Sequence, residues 1–412
     1  MMKFLARLSV FSVLFLLLFP SIQAQDRKSS RKPAEQPTTE FGSSLEQYGK
    51  RPKRKPVKQG RSEQRSSDET IRVETDLVVV DFLVSNEKGN IIKGLTKNDF
   101  VVSEDGKEQT VELFTYGSSD DVPRSIVLIL DNSGGQAPYA KESITAAKLL
   151  VEQIGDKDRM AIVTGDRKLR IGFTGDKAAL YRALDSIDWG WVWNAEYDSL
   201  LAVLNELFEE TSGQRIVVFQ GDGTHAMWMK RDKEHPYPVS YSTLMNNGMR
   251  YTGISSISKY GFADVREAIE RSRATIYPVI VGWRVLGLSR KVQNENAIAS
   301  MRTFSRFYGL RDESDMPPVI RKLGHSKLEA SLSGQKTMFR VAELSGGLAD
   351  FIETPEDAKA VYSNIFTVME NRYVVGYHPS NQVKDGKRRE IRISVKNRPD
   401  LIVTARTHYF FE

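Results

Sequence analysis

The sequence predicts an α/β protein with a doubly wound, mostly parallel sheet, flanked by small N-terminal and C-terminal β elements. Three observations carry this. Aliphatic runs such as Ser125–Leu130 and Arg215–Phe219 end abruptly in Asp- and Gly-rich turns, as strands buried on both faces of a parallel sheet do. Segments of helical spacing alternate with those runs. Near both ends of the folded region, short strands are instead separated by turn chemistry: Asn86-Glu-Lys-Gly-Asn90, Asp105-Gly106 and Asp385-Gly386.

The 412 residues are 27% charged and 40% hydrophobic, with a mean hydropathy of −0.39. That balance excludes a multi-span membrane protein, a coiled coil and a wholly disordered chain. With no cysteine there are no disulfides, thiolate metal sites or cysteine nucleophiles. Five histidines, no two of them four apart, make a His-rich metal site a poor expectation.

Residues 1–24 read as a signal peptide. Lys3 and Arg7 precede an apolar run from Leu8 to Phe19, Pro20 ends it, and Ala24 offers a small residue before a cut at Gln25. The run is too short to cross a bilayer of about 30 Å as a helix. Export to the periplasm or beyond follows, with stability resting on packing or bound ions. Residues 25–70 read as a disordered basic linker, rich in Ser, Pro, Gln, Lys and Arg and poor in large aliphatics. Seven cations between Lys50 and Arg61 sit in it. It carries a net +5 and the leader +2, so the folded remainder is close to neutral at −1. Nucleic acid is therefore not an expected partner, whereas the linker suits contact with an anionic envelope surface.

A small β module is expected over 71–117: a strand at Leu77–Val84, another near Asp99–Glu104, and a return over Thr110–Thr115. The α/β domain follows over 123–371. Its strands are Ser125–Leu130, Met160–Val163, Arg215–Phe219 and Thr275–Val281. Its helices carry Ile144, Ala147, Val151 and Ile154 on one face, then Leu200, Leu201, Leu204, Leu207 and Phe208, then Val265–Arg273 and Pro355–Glu370. Two stretches, about 224–262 and 284–334, interrupt the pattern and are expected as functional or mobile insertions. A C-terminal β element is expected over 372–412, from Tyr373–Tyr377, Arg388–Val395 and Leu401–Thr407.

A strand ending in Asp131-Asn-Ser-Gly134, then Asp158-Arg-Met-Ala-Ile-Val163, then a strand ending in Gly221-Asp-Gly223 resembles a von Willebrand factor A (VWA) domain. The flanking segments GLTKNDFVVSEDGKEQTVELF and LSGGLADF…NRYVVGYHPSNQVKDGKRREIRISVK resemble the VWFA-related family of acidobacterial type. The resemblance covers about 71–411 without the two insertions. It implies a binding or adhesion module, not an enzyme, with a metal-ion-dependent adhesion site. There a hard cation, usually Mg²⁺, takes oxygen ligands from three loops and completes its shell with an acidic group of a protein or envelope partner. By position, Asp131 and Ser133 match the first loop, Asn194 falls on the threonine of the second, and Asp222 matches the acidic residue of the third. Gly135 stands where the pattern has a second serine, so the expected site is degenerate. Alternatively, Asp and Ser at these strand ends simply cap turns and leave an ion-free scaffold.

A metal-assisted hydrolase using Asp131, Asp222, His225 and His235 is the reading from another class. The two histidines match no standard zinc spacing and are expected as surface residues of a polar insertion. Gly-x-Ser-x-Gly, Gly-x-Gly-x-x-Gly and Walker motifs are absent. The five tryptophans, Trp189, Trp191, Trp193, Trp228 and Trp283, all fall beyond expected strand ends or in a loop entering a helix. They are expected to form an aromatic rim that binds the partner.

Overall fold

The computed structural model describes residues 41–47, 77–117, 123–190, 195–208, 211, 213–233, 258–310 and 318–411. Strands β1 (Val78–Asn86), β2 (Phe100–Glu104), β3 (Lys107–Gln109) and β4 (Leu113–Tyr116) come first. The central strands are β5 (Arg124–Leu130), β6 (Arg159–Thr164), β7 (Lys168–Thr174), β8 (Gln214–Gly221), β9 (Thr275–Val281) and β10 (Asp350–Ile352). The last are β11 (Tyr373–Tyr377), β12 (Arg388–Val395), β13 (Leu401–Ala405) and β14 (His408–Phe410). The α-helices are α1 (Ser43–Gln47), α2 (Ala140–Gln153), α3 (Lys177–Asp185), α4 (Glu196–Ala202) and α5 (Phe262–Ser272), then α6 (Arg290–Phe307), α7 (Pro318–Ser345) and α8 (Ala358–Glu370).

The central sheet runs β10-β9-β8-β5-β6-β7. Every neighbouring pair is parallel except β6 with β7. Strand alternation splits the core into two layers. Ile126, Leu128 and Leu130 face α2, α3 and α8, which supply Leu150, Leu184 and Tyr362. Val127 and Ile129 face the other way, toward Leu200, Val265 and Val341 of α4, α5 and α7. This is the doubly wound α/β fold the aliphatic runs predict. Among the described residues no helix is long and apolar enough to cross a membrane.

The N-terminal and C-terminal β segments are not separate elements, because they pair strand for strand. One four-stranded antiparallel sheet has the order β13-β1-β11-β4 and the other β14-β12-β2-β3. Val80, Phe82, Phe100, Tyr373, Tyr377 and Ile391 fill the space between them. The expected return over Thr110–Thr115 is corrected to two short strands. β3 pairs with β2, whereas β4 crosses to β11 in the other sheet.

Two further expectations need correction. Residues 41–47, inside the expected disordered linker, are ordered against the α/β core. Phe41 and Leu45 pack into its second layer, and Glu206 accepts from the backbone N–H groups of Gly42 and Ser44, both at 2.9 Å. The local reason is two large apolar side chains in an otherwise polar stretch. The segment 284–334 is largely helical, forming α6 and the first half of α7. α6 has no buried residue, so it lacks the apolar stripe by which a helix is read. α7 joins the main apolar layer beyond the expected boundary, at Met338, Val341 and Leu344.

Candidate functional site

In the central sheet the chain leaves β5 toward β6 on one side and later returns as β8 on the other. The crevice outside the carboxyl ends of β5 and β8 is thus a topological switch point, where open α/β sheets bind ligands. Asp131 directly follows β5 and Asp222 directly follows β8. The backbone N–H of Asp131 donates to the Gln220 carbonyl at 2.9 Å, so the two strand ends remain laddered up to the carboxylates.

Each aspartate folds its own loop. The Asp131 Oδ1 accepts from the Ser133 N–H at 2.8 Å, which bends the first loop over its carboxylate. The Asp222 Oδ1 accepts from the N–H and the hydroxyl of Thr224, at 2.8 and 2.6 Å. Gly223, at φ 72, and Gly334 of α7 lie so close that a Cβ on either would meet the other's backbone at 2.7 Å. That approach seats α7 directly against the third loop. At the first loop, the Tyr308 hydroxyl donates to the Gly134 carbonyl at 2.9 Å. Ser133 bridges to Gly190, the last residue described before 191–194.

A third carboxylate, absent from the sequence reading, completes the centre. Glu196 opens α4 and is fully buried. Carboxylate oxygens of Asp131, Glu196 and Asp222 all lie within 4.8 Å of one another. Neither oxygen of Glu196 makes a regular hydrogen bond. Gly221 is what admits it: a Cβ there would meet the Glu196 Oε2 at 2.1 Å. Burial, then the charges of Asp131 and Asp222, push the Glu196 carboxyl well above its usual range, and the nearby His225 N–H offsets this only in part. At such separations each like-charge pair costs roughly 3–4 kcal/mol at an effective dielectric of about 20. Among the described residues no lysine or arginine forms an ion pair with Glu196 or Asp222. A divalent cation meets that demand, and hard carboxylate and hydroxyl oxygens suit Mg²⁺, Ca²⁺ or Mn²⁺. The donors at hand are Asp131, Ser133, Glu196 and Asp222.

The other expected site residues are distributed unevenly. Asn194, Trp191 and Trp193 lie outside the described residues, as does His235. Trp189 is half-buried and packs against the first core layer. Trp228 and Trp283 are also half-buried, and the indole N–H groups of Trp189 and Trp283 are buried without a partner. Trp228 sits where the segment 224–262 leaves and rejoins the body, since the Ser258 N–H donates to its carbonyl at 2.8 Å. The expectation of a surface His225 is corrected. Its side chain is buried and stacks on Tyr197 at 6.1 Å between ring centres. Burial, then Arg167, lowers it to about 3, so it stays uncharged.

Sequence reasoning missed Glu196 because an acidic residue in a first helical turn ordinarily serves the exposed amide groups there. The signal lay in its company. It opens Glu-Tyr-Asp-Ser-Leu-Leu-Ala, a helix whose seven residues are all buried.

No family model and no curated protein matches the chain. Among solved structures, it is similar to the conserved hypothetical protein BatB from Bacteroides thetaiotaomicron at 12% identity and a TM-score of 0.33, over 59% of this chain and 98% of that one. It is similar to the vWF domain of the type V pili tip protein Mfa5 from Porphyromonas gingivalis at 11% identity and a TM-score of 0.32, over 60% and 94%. A third similar structure is proximal thread matrix protein 1 from the mussel byssus with a zinc-occupied MIDAS motif. It shows 12% identity and a TM-score of 0.35, over 64% of this chain and 49% of that one.

Proposed function

We propose that this chain is an exported, non-enzymatic binding protein of the VWA type, which engages a protein or envelope ligand at the carboxyl edge of its central sheet. A hard divalent cation such as Mg²⁺ sits in that edge, on a degenerate version of the adhesion-site motif. The observation carrying this reading is the convergence of Asp131 and Asp222, from two neighbouring strands, with Ser133 at the switch point. The tryptophans expected at this edge, Trp191 and Trp193 above all, would supply a large rigid surface of the kind on which binding energy concentrates. The basic stretch between Lys50 and Arg61 adds electrostatic attraction to an anionic envelope.

The hydrolase alternative is weakened at His225. A general base has to reach the proton it takes and change charge near neutral pH. This imidazole is buried and held uncharged far below neutrality.

Retention of the chain on envelope extract, with and without chelator, tests the proposal. Capture should fall sharply with chelator and with Asp222→Ala, while Trp191→Ala or Trp193→Ala should reduce it without lowering the melting temperature. Capture indifferent to both chelator and Asp222→Ala would refute an ion-dependent edge.

A further inference from the structure

We propose that Glu196 is a direct third carboxylate ligand of the cation at Asp131 and Asp222, and that the ion is thereby charge-compensated from inside the protein. The inference rests on the reading that this edge binds a cation, and it changes what the partner must offer. With the two aspartates alone, a divalent ion is only neutralised and can still accept an acidic group from outside. With three it is already surrounded by more negative charge than it carries. A fourth carboxylate would be repelled, so the group presented by the partner is neutral or cationic: a hydroxyl, an amide carbonyl or a lysine near the rim.

Three acidic residues alone would not carry this. The independent observation is the state of Glu196 itself. It has no exposure to water, both of its oxygens lack a regular hydrogen bond, and they reach to within 4.8 Å of the other two carboxylates. Buried polar groups are ordinarily satisfied, and an unsatisfied one calls for an explanation, which a bound cation supplies here. The surroundings offer little else. The nearby His225 backbone N–H offsets the two aspartates only in part, and the buried His225 ring is uncharged, with its Nδ1 unpartnered. The space for the carboxylate is also built in, because Gly221 lacks the Cβ that would occupy it.

Calorimetric titration of the purified chain with Ca²⁺, Mg²⁺ and Mn²⁺, paired with melting in chelator, tests this on wild type, Glu196→Gln, Glu196→Leu and Gly221→Ala. The wild type should bind at least one of the three ions. Glu196→Gln should weaken that binding at least tenfold, and in chelator it should melt no lower than wild type, because a neutral amide replaces a buried carboxyl crowded by two aspartates. Glu196→Leu should do the same, and Gly221→Ala should weaken binding by displacing the carboxylate. Acetate should leave the wild-type affinity for Mn²⁺ unchanged. Equal affinity in wild type and Glu196→Gln overturns this inference while leaving the ion site intact. A wild type that binds none of the three ions overturns the ion site as well. Acetate that tightens Mn²⁺ binding shows an open position still seeking an acid, and overturns the charge argument.

Discussion

Gly135 stands where the resemblance has a serine, and its surroundings have room for one. A Cβ at this position would lie 3.8 Å from the Ser133 Oγ and 4.0 Å from the Asp222 Oδ2, ordinary van der Waals contact. Its φ is not in the left-handed region. Gly135→Ser would therefore add a hydroxyl beside two expected ligands without strain, and Asn194→Thr would restore the other departure. Together they should raise cation affinity. A tenfold gain at saturating ion is worth about 1.4 kcal/mol of added stability, which thermal melting with and without ion resolves. An unchanged or smaller ion-induced shift would mean that Asn194 is misplaced or that the loop does not face the ion. Asp131, Ser133 and Asp222 were legible because they end aliphatic strands. Glu196 was not, since its role depends on a burial that only the packed helix reveals.

At the scale of elements, legibility followed burial. β5, β8 and β9 lie inside the parallel sheet, covered on both faces, so their apolar runs are unambiguous. β7, an antiparallel edge strand with no fully buried residue, has no such run and was missed. The pairing of the N-terminal with the C-terminal strands was also illegible, because nothing local in either segment names a partner some 300 residues away. What locks that pairing is Glu104, the last residue of β2. It accepts from the hydroxyls of Tyr377 on β11 and Tyr409 on β14, at 2.9 and 2.7 Å, and from Arg389 on β12 at 2.9 Å. Glu104 and Arg389 are 3% and 2% exposed, so removing one leaves the other charged and dry. Glu104→Ala should cost about 3–5 kcal/mol and Glu104→Gln less, because the amide oxygen still accepts. Denaturant unfolding followed by near-ultraviolet circular dichroism would show it. A loss below about 1 kcal/mol for Glu104→Ala would mean that the sandwich closes without this network.

At the scale of the whole molecule, β1 joins the sandwich to the α/β unit by using both of its faces. Val80, Phe82 and Val84 point into the sandwich, and Leu83, on the opposite face, packs into the α/β core. Asp81 shares that second face and explains a charged residue inside an apolar run. Its carboxylate accepts from the Thr275 hydroxyl of β9 at 2.9 Å, pairs with the Arg372 Nε at 2.6 Å, and lies 3.7 Å from Arg406. Both arginines are buried. Burial, with Arg273 and its neighbours adding repulsion against the pull of Asp81, brings Arg406 down to about 10. Asp81 is thus the counter-ion of a cationic junction. Burial alone would raise its carboxyl, but Arg372, Arg406 and the Thr275 hydrogen bond outweigh it and hold it below the ordinary 3.8. A carboxylate depressed by folding stabilises the protein above its unfolded value and loses that contribution as pH falls through the folded one. Asp81→Asn should therefore cost about 3–5 kcal/mol near neutrality, where it leaves two buried guanidinium groups uncompensated. The gap between variant and wild type should close as pH falls below 3.8 toward the folded value, because the wild type then loses the same charge. Melting temperatures of the two proteins across an acid series decide this. A difference that is absent at neutral pH, or that persists unchanged in acid, would show that the two units are joined by packing alone.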